Sequence, residues 1–128
     1  MTRRGRERRA EGLAAAARCR REQLLALAEP LAATGSTEVV SPPAAQSVMV
    51  EVATAVGECC LAEVVVTTAS VLVSGSVGWA CLLGWDEHGA LAAALCDAVA
   101  APDVDALAEE ALAVEAADRR MTEAAVAR

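Results

Sequence analysis

The chain contains no lysine, phenylalanine or tyrosine, and its only aromatic residues are Trp79 and Trp85. It has one histidine, His88, and no CxxC pair among its five cysteines. Each absence removes a class of function. Between Glu22 and Asp118 there are 15 acidic residues and no basic one. Phosphate and phosphonate sites ordinarily grip the anion with Arg or Lys, often as bidentate clamps. The body of the chain offers neither, and a helix start would hold an anion only weakly inside an acidic field. Neither GxxxxGK[ST] nor GxGxxG occurs, so no nucleotide fingerprint is present. With a single histidine, a triad or a histidine-based metal site lacks its partners.

The five cysteines, Cys19, Cys59, Cys60, Cys81 and Cys96, are odd in number and follow no disulfide framework. The Arg-rich start lacks the apolar stretch of a secretory signal, so free thiols in a reducing cytoplasm are expected. Cys59 and Cys60 are adjacent, which on a strand sends their side chains to opposite faces and disfavours joint metal binding.

What is present is alanine and valine. Apolar residues make up 55% of the 128 residues. Burial is worth roughly 25 cal/mol per Å², so an Ala/Val core is thin for its length. Stability is therefore expected to come in part from the surface of a partner. The net charge of −7 hides a segregation: eight of the 11 arginines lie within residues 1–21.

Residues 1–9, MTRRGRERR, read as a basic flexible arm. Nucleic-acid binding by it is disfavoured, because no aromatics are interleaved and the domain behind it is acidic. Residues 10–128 read as a single α+β domain. A helix is expected from about Ala10 to Ala33, on the stripe Leu13, Ala17, Leu24, Leu25, Ala28 and Leu31, with Arg18, Arg20, Arg21 and Glu22 facing water. Glu38 to Ser41 is a short extended piece stopped by Pro42-Pro43. Gln46 to Thr54 alternates around Val48, Val50 and Val52, and 55–58 is a turn. Leu61 to Thr68 is a further strand, and Ser70–Ser74 with Ser76–Leu83 forms a hairpin, into which the preceding strand either runs on through Ala69 or does not. Asp86 is a good N-cap for a helix running to about Ala100. Pro102 ends that helix, and Asp103 or Asp105 opens a last one with a sparse apolar stripe that can pack on a partner. The expectation is a small antiparallel sheet of about four strands against one N-terminal and two C-terminal helices.

Val64 to Trp85 is an uncharged run of 22 residues, long enough to span a bilayer. Its clustered Ser, Thr and Gly favour strands and a turn over a membrane span. His88 with Glu63, Asp86 or Asp97 defines the enzyme alternative, though paired-carboxylate chemistry does not follow from spacing alone. Asp97, on a helix of small residues, faces either a partner or the chain's own backbone. Trp85 is either an interface anchor or a cover for the sheet edge.

An ordered set of residues begins at Pro43 and Val48-Met49-Val50 and continues through Gly57, Glu63-Val64, Val66-Thr67 and Val71. Gly75-Ser76-Val77-Gly78 follows, then Gly84, Asp86 and Ala90, then Ala93-Ala94-Leu95 with Asp97-Ala98. Over about residues 40–100 this set resembles the PhnG subunit of the bacterial carbon–phosphorus lyase system, whose patterns G-[ST]-[VL]-G, G-R-D-x-x-x-A and A-A-x-x-D-A it is similar to in turn. Ser41, Thr68 and Trp85 stand where the family usually has Arg. The resemblance implies a subunit with no catalytic residues, cofactor site or metal site of its own. Gly57, Glu63, Thr67, Gly75, Gly78, Gly84, Trp85, Asp86 and Asp97 would then serve structure or interface. In that family the subunit works with PhnH, PhnI and PhnL, displacing adenine from ATP by a phosphonate to give a ribose 1-phosphonate 5-triphosphate. A separate iron–sulfur subunit then breaks the C–P bond. The implied partners are the other core subunits, PhnH-, PhnI- and PhnJ-like, in a cytoplasmic hetero-oligomer that uses ATP, without nucleic acid or membrane. The alternative is a small partner-binding scaffold unrelated to phosphonates, or a protein attached to a membrane through residues 64–85.

Overall fold

The computed structural model describes residues 2–33, 36–53 and 59–126. The order is α1 (Arg3–Cys19), α2 (Arg21–Ala32), β1 (Thr37–Ala53), β2 (Cys59–Val73), β3 (Ser76–Leu83), α3 (Glu87–Val99) and α4 (Pro102–Val126). The fold is α+β, with one antiparallel sheet in the order β1-β2-β3. No helix among the described residues is long and apolar enough to cross a membrane. Val64 to Trp85 forms part of β2, the hairpin turn, β3 and the turn into α3.

Three expectations are corrected. The arm expected over residues 1–9 is a helix from Arg3 onward, opened by Thr2, whose hydroxyl accepts a bond from the Gly5 N–H. The single N-terminal helix is two: Arg20, at φ −138° and ψ 41°, leaves the helical region between them. The break lets α1 lie along α4 while α2 lies on α3, which one straight helix could not do. The two strands expected on either side of Pro42-Pro43 are one strand, β1, with register shifts between Val39 and Ser41 and between Ser41 and Ala44. β1 is an edge strand, where a proline that cannot donate a ladder bond is tolerated, particularly at a bulge. Of the two courses open for the next segment, β2 takes the continuous one, through Ala69 to Val73, so the sheet has three long strands. The expected turn at 55–58 lies outside the described residues.

β2 and β3 are joined by Ser74 and Gly75, both at positive φ (48° and 85°), the two-residue turn whose twist suits a hairpin. Asp86 caps α3 by accepting a bond from the Gly89 N–H at 2.9 Å. Pro102 is the first residue of α4, where its missing N–H costs nothing.

α3 is the centre of the molecule. One side lies on the sheet, and α1 and α2 cover the other. Ala90, Ala92, Ala93, Ala94, Leu95, Cys96 and Ala98 are all buried, so the helix is apolar almost all round. Among the described residues no side chain larger than leucine is fully buried; the largest are Leu13, Leu24, Val71, Thr67 and Cys96. The core is built from small residues at close approach. Burial pushes the Cys96 thiol up to about 11, so it stays protonated and inert as a nucleophile at neutral pH.

Candidate functional site

The segregated charges of the sequence meet in the fold. Arg8 and Arg18 of α1 make bidentate pairs with Glu109 and Glu115 of α4, all N···O distances being 2.6–2.7 Å. Arg20 reaches Glu110 at 3.3 Å, and Arg21 clamps Asp86 at 3.1 and 3.2 Å. Pairs this exposed are worth little each, about 0–1 kcal/mol. The pairs to Glu109, Glu110 and Glu115 together set α1 and the break after it against α4, and Arg21 ties α2 to the start of α3. They also occupy the guanidiniums that could otherwise have bound an anion.

Arg9 is the exception in burial. Only 8% of its side chain is exposed, and its Nε donates to Oδ1 of Asp97 at 3.3 Å, with Asp97 17% exposed. Nη1 of Arg9 is buried without a partner. The other oxygen of Asp97, Oδ2, accepts the backbone N–H of Trp79 at 3.0 Å. Asp97 thus ties α1, α3 and the outer edge of β3 together. Beside this contact lies a cleft of about 810 Å³ between α1 and the hairpin tip, lined in part by Arg6, Glu7, Arg9, Ser76, Trp79 and Asp97. Two carboxylates stand against its two guanidiniums, so it has no cationic excess with which to select a phosphate.

A second cluster forms the corner where β3 turns into α3. The buried Thr67 hydroxyl donates to the Gly84 carbonyl at 2.6 Å and accepts the Asp86 N–H at 3.0 Å. Gly84, at φ +89°, donates its own N–H to the Val65 carbonyl at 2.7 Å. The Arg21 guanidinium, with the Gly89 N–H, holds the Asp86 carboxyl below the usual carboxylate range. Thr67→Val keeps the packing but strands a carbonyl and an N–H at this corner. We expect a loss of about 2 kcal/mol in thermal or urea unfolding. A loss below about 0.5 kcal/mol would show that the hydroxyl is dispensable.

Glu109 and Glu115 are also held low, by hydrogen bonds from Arg8 and Arg18. A carboxyl depressed on folding contributes stability above its unfolded pKa of about 4, and that contribution fades as pH falls through the folded value. The melting temperature should therefore be lost on the acid side, below about pH 4, as these three carboxylates are titrated. A melting temperature that rises as pH is lowered from about 5 to 3 would contradict this assignment.

The remaining positions singled out in the sequence are dispersed. Glu63 is exposed on β2. Gly75 is in the hairpin turn, and Gly78 lies under α3. Trp85 is 76% exposed. Gly57 lies outside the described residues. His88 is exposed in the first turn of α3, and no group of three His, Cys, Asp or Glu residues among those described could hold a metal. Sequence reasoning missed Arg9 and Arg21, which it placed in a solvated arm and on a water-facing helix side. The available signal was the charge segregation: 15 acids without a base from Glu22 to Asp118 call for cations from elsewhere in the chain.

β3 also shows a bare face. Gly78, Ala80 and Leu82 are buried toward α3, whereas Val77, Trp79 and Leu83 on the opposite face are 66%, 52% and 64% exposed. Exposed large apolar residues gathered on one face mark interaction surfaces more often than isolated ones do.

The family model for phosphonate metabolism protein PhnG matches residues 7–128. The chain belongs to the PhnG family. That makes it a PhnG-like subunit of the multi-subunit carbon–phosphorus lyase complex, with a part in phosphonate metabolism. The match reaches from within α1 to the end of the chain, well beyond the stretch 40–100 that carried the resemblance. Comparison with curated proteins gives no match.

Proposed function

We propose that this chain is a non-catalytic subunit of the core complex, supporting the transfer of a phosphonate to the ribose C1 of ATP with loss of adenine. The reaction itself falls to neighbouring PhnH-, PhnI- and PhnL-like subunits, in a cytoplasmic hetero-oligomer that also contains a PhnJ-like subunit. The observation that carries this reading is the match to PhnG over residues 7–128. Two features support it. Val77, Trp79, Leu83 and Trp85 are exposed together on and beside one sheet face, as an anchoring surface requires. The arginines of α1 and α2 nearest the body are engaged by carboxylates, which leaves ATP and phosphonate to be gripped by other chains.

The test is reconstitution. Core subunits supplied with ATP and methylphosphonate should form adenine and the ribose 1-phosphonate 5-triphosphate only when this chain is present. His88→Ala should leave the rate unchanged. Equal product formation without this chain, or turnover of ATP by this chain alone, would overturn the proposal.

A further inference from the structure

The three edges of the sheet are not guarded alike. β1 forms the outer edge on one side and carries Pro42, Pro43 and two register shifts, features that blunt an edge against further pairing. On the other side β3 forms the edge, and there Asp97 occupies the Trp79 N–H while α1 lies alongside. The third edge is internal. β2 pairs with β1 from Cys59 to Val73, but with β3 only from Val66 to Val73. Beyond Leu83 the chain turns away at Gly84, whose N–H makes a last bond to the Val65 carbonyl. From Cys59 to Val64, β2 therefore has a neighbour on one side only among the described residues, and the place that β3 would fill is open.

The backbone direction in that place follows from parity. Trp79 is opposite Ser70, and its N–H points away from β2, so Ser70 directs its backbone groups toward β1. Odd-numbered residues of β2 then direct N–H and C=O toward β3, as the Val65 carbonyl does. The β1–β2 register runs from Val64 to Cys59 without a shift, so Glu63 and Leu61 aim their backbone groups into the open place. A two-stranded ribbon of this kind is marginal alone in water.

We infer that a partner subunit adds an extended strand to β2 along residues 59–64, continuing the lane of β3, and that this strand carries a basic residue opposite Glu63. This rests on the assembly reading given above and deepens it. Charge decides the occupant. Glu63 is exposed, and no basic residue lies between Glu22 and Asp118. A second copy entering the lane would set acid against acid, which directly opposed strands penalise. A basic, otherwise apolar strand meets Glu63 with opposite charge. Leu83 and Trp85, 64% and 76% exposed, stand where the lane begins and supply apolar anchors.

The test uses the core complex purified with a tag on this chain. Glu63→Pro removes an N–H that the β1–β2 ladder does not use and puts a ring into the lane, so the isolated fold should persist by circular dichroism. It should weaken association by about 100-fold, and Glu63→Lys by about ten-fold. In hydrogen exchange on the wild-type chain, which needs no variant to fold, the Glu63 and Leu61 amides should be fast when it is free and protected in the complex. Protection without loss on Glu63→Lys would remove the basic residue from the claim and overturn it in that part. Full association of a folded Glu63→Pro chain, or fast exchange of both amides within the complex, would overturn the strand. Failure of the wild-type chain to assemble with the core subunits would instead overturn the subunit reading, and this inference with it. Self-association through the lane, seen as protection that rises with the concentration of the chain alone, would replace the partner by a second copy.

Discussion

Asp97→Ala is expected to destabilise the isolated chain by about 4 kcal/mol, a larger cost than the loss of any surface ion pair here. The Asp97–Arg9 contact is long, 3.3 Å, and would not by itself carry such a cost. The cost comes from what remains. Arg9 is 92% buried by its 8% exposure, and Nη1 already lacks a partner, so removal of Asp97 leaves a buried cation with no counter-ion. The Trp79 N–H on the edge of β3 loses its acceptor at the same time. At this chain length 4 kcal/mol corresponds to a fall in melting temperature of roughly 10–15 °C. Replacing the cation as well separates the two sources. Arg9→Met with Asp97→Ala should be clearly more stable than Asp97→Ala alone, because the stranded charge is gone. A loss below about 1 kcal/mol for Asp97→Ala, or no rescue by Arg9→Met, would show that the guanidinium reaches water when Asp97 is absent.

This contact also shows where reading the sequence stops. Local chemistry was legible. Asp86 ahead of an Ala-rich run marks a cap, Ser74-Gly75 marks a tight turn, and Pro102 marks a helix boundary; each rests on backbone preferences that act within a few residues. The α+β class followed from those signals. Long-range pairing was not legible. Arg9 and Asp97 are 88 residues apart, and nothing near either one distinguishes a solvated charge from a buried one. The Arg-rich start looked like an arm because like charges repel in isolation, yet Glu109, Glu115 and Asp97 gather on the surface that α1 covers. Pro42-Pro43 looked like a strand break because proline lacks a donor. At the edge of a sheet, with a bulge to absorb the register, that missing donor has no ladder to interrupt. In each case the deciding partner lies far away in sequence, and local propensity yields to it.

Gly78→Ala is the second large expected effect, about 3 kcal/mol, and it acts at the contact that lets so small a core close. A Cβ at Gly78 would run into the Ala94 carbonyl and come within 2.7 Å of both the Ala98 Cβ and its N. Those are backbone and first-carbon atoms of α3, which cannot swing aside as a long side chain would. The helix must move off the sheet instead. Gly75→Ala is the control: it meets nothing within 4 Å but sits at φ +85°, so its cost is the conformational one alone, about 1 kcal/mol. The displacement reaches further than the clash. Asp97 adjoins Ala98, so a lifted α3 draws the carboxylate away from both the Trp79 N–H and Arg9. The two large effects should therefore overlap, with Gly78→Ala/Asp97→Ala costing less than the sum of the single changes. Strict additivity in urea unfolding would mean that the Asp97 contact survives when α3 shifts, so that the close approach at Gly78 and the buried charge pair stabilise the fold independently.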